Sequence, residues 1–367
     1  MGLTSIPQNY KKNVDWVCGA YEDAGVSFAN GFQKDAIQNS VGARKSSSSW
    51  ENWQCSISVV NTPCGKHIVV EDSGTVGLTG KIIPVSEIDE MMSRDEKLPA
   101  TERLSRFSSM YNSGGNEAGG GLYGAGKSVY AAASSEYTYY YDSLREDGTY
   151  VANVNLCGRV NSIAFVDEEA KKFIFDNTGL GPKTTTGTRV IIVSPREELV
   201  EAIEGKSIVP FIQESWWIIL KRLPKSASIV VNGERVSLPD GLVDIATHKF
   251  ELTKPELVQE GYRVKHFGLY VYDEGGSPFE GISYYRKGMK IGQVDIKDIP
   301  KTLAGKYWGY IEVEEQWEKE LEEIEDRVHF GVSRYKKTRS AYQNIRPDSH
   351  GLKGLYGHLC GLCLHLP

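Results

Sequence analysis

The sequence lacks any apolar run long enough to cross a membrane, and its first residues do not follow the pattern of a secretory signal peptide. It also lacks an excess of positive charge, since its 367 residues carry a formal net charge of −6. A chain without a basic surplus has no electrostatic footprint for binding nucleic acid by itself. We therefore expect a cytoplasmic protein with no membrane partner, in which any DNA contact needs a local basic patch or a partner protein.

Cysteines are few and scattered, so the sequence has no clear disulfide framework. Among the six is one C-x-x-C pair, Cys360 and Cys363. The pair alone is weak support for zinc, because no second pair stands at a suitable spacing. The thiols are expected to be reduced. The closing segment 346–367 is expected to be a disordered tail or a vector-derived extension, and no function is assigned to it.

Glycine is concentrated at 119–126, directly before Lys127 and Ser128. The backbone N–H groups of such a stretch can approach an anion closely. The stretch also contains the P-loop pattern G-x-x-x-x-G-K-S. A P-loop needs a buried strand that runs into the glycines, but the preceding run 103–117 is polar and has no strand-like pattern. These residues therefore indicate a phosphate-binding loop preceded by a mobile lid, about 93–120.

A helix is predicted over 28–44, because Phe28, Phe32 and other apolar residues recur at helical spacing. Asp35 and Asn39 lie one turn apart on the same face. They would suit a nucleotide pocket, with Asp35 positioning an attacking water and Asn39 donating an oxygen to Mg²⁺. They would equally suit the solvent edge of an ordinary amphipathic helix.

A β-rich run ends at Asp72 and is followed by a turn that contains Gly74 and Gly77. This arrangement presents a carboxylate at a strand end, where backbone can come close to a planar ligand. An Asx-type turn is the alternative interpretation. Further along the chain, Thr186-Gly187-Thr188 leads into a predicted strand, 189–193.

In this order the motifs resemble the four-motif signature of the GHKL (Bergerat-fold) ATPases: acid-x-x-x-Asn on a helix, Asp-x-Gly after a strand, a lid with a glycine box, and Thr-Gly-Thr. Within that superfamily the sequence is similar to the MORC branch. The resemblance extends over positions 28 to 315, and segments near 216–236, 281–291 and 308–313 are similar to the MORC transducer domain. It is specific only in the four ATP motifs.

The resemblance implies an α+β fold: a Bergerat-type two-layer sandwich of an antiparallel or mixed sheet with helices on one face, then a smaller α/β transducer-like domain. The implied domains are 1–208, with an N-terminal strap and the lid, and 209–345. Hairpins are predicted around 61–65, 146–148 and Asn232-Gly233. Other predicted strands are 172–175, 263–272, 281–286 and 307–313, and other predicted helices are 197–204, 212–220 and 314–327.

The resemblance also implies ATP and Mg²⁺ as ligands. Asp35 would be catalytic, together with a basic residue of the transducer domain. Arg286, Lys287 and Lys319 are candidates for this residue, and Lys287 is assigned the role. Asn39 would be the Mg²⁺ ligand. The implied nucleotide-binding residues are Asn39, Ala43, Asp72, Gly74, Gly77, Leu78, Thr79, Gly120, Gly121, Leu122, Tyr123, Gly124, Ala125, Gly126, Lys127, Ser128 and Thr188.

Two positions depart from the family pattern. Asp35 stands where the family nearly always has Glu, so its carboxylate is one methylene shorter and slow hydrolysis is expected. The segment from Asp72 to Gly77 carries one residue more than Asp-x-Gly-x-Gly, which puts the role of Gly77 in doubt.

The function implied by the resemblance is an ATP-gated clamp that forms a homodimer on ATP binding. Its partners would be DNA or an effector protein, with genome defence as one setting. A chaperone-like ATPase acting on protein clients is the alternative, and a P-loop NTPase is a more remote one.

Overall fold

The computed structural model describes residues 3–5, 14–15, 18–19, 21, 26–46, 49–84, 87, 90–91, 93–94, 96, 98–99, 101–108, 127–157, 159–161, 163–239, 242–253, 264–272, 276–277, 279–294 and 305–313. The glycine box 120–126, Lys319, the predicted helix 314–327 and the closing segment 346–367 lie outside these residues. The chain divides into two compact units, Met1–Ile212 with Arg222–Val236 and Gln213–Lys221 with Ser237–Pro367.

The helices and strands of the described residues follow one another in this order: β1 (Leu3–Ser5), α1 (Phe28–Gly42), β2 (Gln54–Thr62), β3 (Gly65–Ser73), α2 (Arg103–Ser108), α3 (Ser128–Ala132), β4 (Thr138–Leu144), β5 (Tyr150–Leu156), β6 (Arg159–Asn161), β7 (Phe165–Val166), α4 (Asp167–Thr178), β8 (Gly187–Val193), α5 (Glu197–Glu204), α6 (Val209–Ser215), α7 (Trp217–Arg222), β9 (Ser228–Val231), β10 (Glu234–Arg235), β11 (His248–Thr253), β12 (Val264–Val271), β13 (Gly281–Arg286), β14 (Met289–Val294) and β15 (Tyr307–Val313).

The first unit is built on one large mixed sheet in the order β1-β6-β5-β4-β8-β3-β2-β9-β10, with β7 beside β5. Its neighbouring strands are antiparallel except β2 and β9, which are parallel. The hairpins predicted around 61–65 and 146–148 are confirmed as β2–β3 and β4–β5. The α+β class is therefore confirmed.

Helix α1 is a buried helix of the first unit. Ser27 caps its start, because the Ser27 hydroxyl accepts the Asn30 N–H at 3.4 Å. The helix packs against β2, β3, α3 and α5. Phe32, Ala36 and Ile37 are fully buried in these contacts, so the predicted helix over 28–44 is confirmed and its apolar face lies in the core.

Two predictions about α4 were wrong. The strand expected at 172–175 is part of this helix, in which the buried residues Ala170, Ile174 and Thr178 recur every four positions. An acidic first turn and Gly179 in the left-handed conformation favour its two ends.

Helix α4 also packs on one face of β4 and β5, where its Phe173 contacts Tyr140. Tyr139, the neighbour of Tyr140, points to the other face and contacts Tyr130, which also contacts Phe32 of α1. The helices are therefore not confined to one side.

The predicted boundary at residue 208 also differs from the structure. The hairpin of β9 and β10 belongs to the first unit, because β9 extends the large sheet by pairing with β2. Its turn is confirmed: Asn232 and Gly233 have φ angles of 46° and 80°, as the predicted type I′ turn requires. The helix predicted at 212–220 is broken at Trp216. Trp216 and Trp217 are both buried, and consecutive side chains of one regular helix do not share a face.

The second unit is a sheet in the order β11-β12-β15-β13-β14. Its pairs are antiparallel except β13 with β15. Trp217 packs into an aromatic core with Tyr270, Trp308 and Tyr310. Within the described ranges, no helix combines the length and the apolar character needed to cross a membrane.

Candidate functional site

The end of β3 presents the side chain of Asp72 beside the start of β8. The Thr188 N–H donates to Oδ1 of Asp72 at 2.9 Å, and the Thr75 hydroxyl donates to the same oxygen. Asp72 is only 8% exposed, yet its Oδ2 has no hydrogen-bond partner among the described residues. The hydroxyl of Thr188 has none either. The two motifs therefore each present one oxygen that has no hydrogen-bond partner in the described part of the chain, on two residues joined by a backbone hydrogen bond.

Burial raises the pKa of Asp72 from 3.8 to about 6. The hydrogen bonds from Thr75 and Thr188 and the charge of Lys183 act in the opposite direction, while Glu71 adds to the rise. The carboxylate is thus predominantly ionised at neutral pH and incompletely compensated. Such a group is a strong acceptor for an N–H donor that arrives with a ligand.

Glycines around Asp72 permit close backbone contacts. A Cβ at Gly187 would lie 2.6 Å from Oδ1 of Asp72, and one at Gly74 would lie 2.7 Å from the Asn52 carbonyl carbon. Gly77 has a φ of 74°, and a Cβ there would lie 2.6 Å from the Ser143 hydroxyl. Gly77 therefore packs against β4, and this contact requires a glycine at position 77 whether or not a ligand binds.

Asn39 of α1 meets the first helix after the glycine box. Its Nδ2 donates to the Tyr130 hydroxyl at 3.2 Å, which leaves Oδ1 without a partner among the described residues. Burial raises the pKa of Tyr130, and Cys55 and Asp72 raise it further. Through its hydrogen bond with Asn39, Tyr130 connects the first motif to the helix that follows the glycine box.

Asp35 lies one turn before Asn39 and is 5% exposed. The Tyr21 hydroxyl donates to Oδ2 of Asp35. The interpretation that this helix face lies at a solvent edge was therefore wrong for Asp35, which is held inside the first unit.

The loop after Asp72 is tied to α2, the described helical part of the predicted lid. Leu104 donates its N–H to the Thr79 carbonyl at 2.8 Å, and the Thr79 hydroxyl donates to the Thr101 carbonyl at 2.7 Å. Arg103 donates to the Ala43 carbonyl at 3.3 Å. Leu78 donates its N–H to the Ser143 hydroxyl at 2.8 Å. Thr79 and Ala43 therefore connect the loop and the end of α1 to α2 and the residues before it, whereas Leu78 connects the loop to β4.

Lys127 and Ser128 are the described end of the predicted phosphate loop. Nζ of Lys127 donates to the Arg106 carbonyl in α2, and burial lowers the pKa of Lys127 to about 7, with the charge of Arg106 adding to the effect. The Ser128 hydroxyl is buried without a hydrogen-bond partner among the described residues. The predicted residues Gly120, Gly121, Leu122, Tyr123, Gly124, Ala125 and Gly126 lie outside the described residues.

Two of the three basic candidates, Arg286 and Lys287, lie among the described residues of the second unit and differ in exposure. Arg286 is 1% exposed, whereas Lys287 is half-buried. Lys287 and Gly288 have φ angles of 50° and 81° in the turn between β13 and β14. The assignment of Lys287 to a phosphate stays a prediction, and Lys319 lies outside the described residues.

Sequence reasoning missed three contributors to this site: Tyr21, Thr75 and Tyr130. Thr75 lies in the segment from Asp72 to Gly77, and a hydroxyl three residues after a strand-end Asp is a recognisable signal for a local hydrogen bond. Tyr21 and Tyr130 carry no such signal, because their partners are 14 and 91 residues away along the chain.

Within the described ranges, no group of three or more His, Cys, Asp or Glu side chains could hold a metal ion. An oxygen of Asn39 with water and phosphate ligands is a different kind of site, in keeping with the preference of Mg²⁺ for few protein ligands. A scan against protein-family models and a search of curated proteins found no match to this chain.

Proposed function

We propose that the first unit binds MgATP in the manner of a GHKL ATPase, with a Bergerat-like arrangement of α1, β3 and β8, and hydrolyses it slowly. The observation that carries the proposal is the half-satisfied carboxylate of Asp72. Thr75 and Thr188 donate to its Oδ1, while Oδ2 and the Thr188 hydroxyl, which have no partner among the residues that the structure describes, can accept a ligand. An exocyclic amine of a purine supplies the missing N–H donor.

The same arrangement supports an amine-bearing base over one with a carbonyl at that position. A carbonyl oxygen facing the ionised Oδ2 would place two acceptors together, which costs desolvation without a compensating hydrogen bond. Adenine is therefore preferred over a base that presents only acceptors to Asp72.

Asn39 fits the role of Mg²⁺ ligand because its amide nitrogen donates to Tyr130 and its amide oxygen has no partner within the described ranges. Oxygen ligands of this kind suit Mg²⁺. A bound Mg²⁺ would supply positive charge that neutralises the phosphates. Asn39 would hold the ion through its amide oxygen, and the Tyr130 hydroxyl would keep the amide in the required orientation.

Asp35 is the proposed group that orients the attacking water, since it lies one turn from Asn39 on the same helix. Positioning and charge neutralisation dominate phosphoryl transfer. A carboxylate one methylene shorter than Glu reaches less far, which supports slow turnover.

Two observations favour the GHKL interpretation over a P-loop. The described stretch before the glycines, Arg103–Ser108, is a helix, and β4 after α3 is antiparallel to both of its neighbours. A P-loop protein places its lysine between a parallel strand and a helix. Here Lys127 instead donates to a carbonyl of α2.

The deciding experiment is ATP titration, by calorimetry, of the Asp72→Asn and Lys127→Ala variants. Asp72→Asn presents an N–H to the base amine, so we expect ATP affinity to fall about 10- to 100-fold. Lys127→Ala should weaken binding less. Asp147→Asn in the exposed β4–β5 turn is the matched control.

The opposite ranking would support the P-loop alternative: affinity lost in Lys127→Ala and kept in Asp72→Asn. Binding of GTP as tightly as ATP by the parent protein would remove the role assigned to Asp72 as the reader of the base.

The clamp is the second part of the proposal. ATP binding is proposed to order the lid and drive homodimer formation, with DNA or an effector protein as the partner of the dimer. This part is supported by the MORC resemblance of the four motifs, which is a fold-level analogy.

A further inference from the structure

Tyr21 lies against the helix that carries the proposed catalytic carboxylate. Its ring fills the space above Gly31, where an added Cβ would lie 2.5 Å from Cε1 of the ring. It also makes an edge contact with Phe28 at a centroid distance of 6.0 Å. Because Tyr21 is 1% exposed, its hydroxyl has a fixed place inside the first unit.

That hydroxyl donates to Oδ2 of Asp35. Burial raises the pKa of Tyr21 well above its ordinary value, and the charge of Asp35 raises it further. The phenol therefore stays protonated at every working pH and remains a donor. A charge-assisted hydrogen bond of this kind restricts the orientation of a short carboxylate.

We propose that Tyr21 is a positioning residue for the proposed ATPase: its hydroxyl orients the Asp35 carboxylate toward the attacking water. This inference rests on the proposed function. It makes the segment before α1 part of the hydrolytic apparatus, because Tyr21 reaches Asp35 from 14 residues upstream. The same hydrogen bond suits an Asp at position 35, because a short carboxylate that accepts from a fixed hydroxyl can adopt few other orientations.

The test is Tyr21→Phe, which removes one oxygen and keeps the ring that packs on Gly31. We expect kcat for ATP hydrolysis to fall roughly 10- to 100-fold, as expected for loss of orientation at the reacting group, while the Kd for ATP changes less than about twofold. Tyr137→Phe is the matched control, because its hydroxyl bonds Asp15 of the same upstream segment at 3.2 Å. The control should keep the parent kcat.

A double-mutant cycle with Asp35→Asn separates positioning from general stability. If Tyr21 acts through Asp35, Tyr21→Phe has no further effect on kcat in the Asp35→Asn background. Equal effects in both backgrounds, an unchanged kcat in Tyr21→Phe, or a parallel loss of ATP binding would each overturn the inference and leave the proposed function standing. Absence of ATP binding by the parent protein would overturn both.

Discussion

The backbone N–H of Thr188 donates a 2.9 Å hydrogen bond to Oδ1 of Asp72 across 116 residues of chain. This contact joins the start of β8 to the end of β3 exactly where their ladder stops at Glu71 and Arg189. It fixes the carboxylate at a sheet position where burial opposes its ionisation.

Asp72→Asn should stabilise the protein in the absence of nucleotide. The folded-state pKa of Asp72 is raised from 3.8 to about 6, so the folded state binds more protons than the unfolded state between these values. The resulting penalty is fully present above about pH 6, declines as the pH falls, and is absent below 3.8. Its size at neutral pH is on the order of 3 kcal/mol.

Urea unfolding of both proteins at pH 8 and at pH 3.5 measures this difference. The stability gain of Asp72→Asn should be large at the higher pH and small at the lower one. A gain of equal size at both pH values would show that it does not come from the charge of Asp72.

Gly187→Ala should destabilise the first unit. Gly187 has a φ of 140°, and a Cβ would lie 2.9 Å from the carbonyl carbon of Asp72. Strain and overpacking together should cost about 3 kcal/mol, measured as a loss of unfolding free energy. Gly181→Ala, with nothing within 4 Å of its Cβ, should change stability by less than about 1 kcal/mol. Equal effects of the two changes would contradict this account.

Asn39→Ala should abolish the dependence of ATP affinity on Mg²⁺. Titrations with and without Mg²⁺ should give the same Kd for ATP in the variant, whereas they should give two different Kd values in the parent protein. Tyr130→Phe removes only the hydroxyl that orients the amide, so apparent Mg²⁺ affinity should fall roughly tenfold. If Mg²⁺ still strengthens ATP binding by the parental factor in Asn39→Ala, then Asn39 is not its ligand.

Asp35→Glu should raise ATP turnover and lower stability. The extra methylene extends the carboxylate toward the water, but it enters a site that is 5% exposed, where overpacking costs about 1–3 kcal/mol. Steady-state hydrolysis and thermal unfolding test the two effects separately. Turnover no higher than that of the parent protein would count against the explanation of slow hydrolysis by side-chain length.

A non-hydrolysable ATP analogue should convert the protein to a homodimer. Mass measurement in solution with and without the analogue tests this, and Asp72→Asn at the same analogue concentration is the control. A protein that stays monomeric while the analogue is bound would refute the ATP-gated clamp and leave nucleotide binding intact.

Local patterns predicted much of the first unit. Helix α1 followed from apolar spacing, and the hairpins followed from turn residues such as Asn232-Gly233. Helix α4 contains the consecutive apolar residues Phe173, Ile174 and Phe175, a short run that is also compatible with a buried strand. Tertiary packing selected Ala170 and Ile174 instead, and the three acidic residues at 167–169 were the overlooked signal.

The site was predictable in part for the same reason. The roles proposed for Asp35, Asn39 and Asp72 rest on residue type and on the motif resemblance, and they stay predictions. The contacts of Tyr21 and Tyr130 depend on where the chain folds back, and no short-range pattern encodes that. Their discovery needed the three-dimensional structure.

The parallel pairing of β9 with β2 has a practical consequence for dissecting the protein. A fragment that stops at residue 208 would leave the backbone of β2 open along Gln54–Ile57, where β9 now binds. An open strand edge recruits other chains and promotes aggregation. A fragment of the first unit intended for expression should therefore extend through Val236.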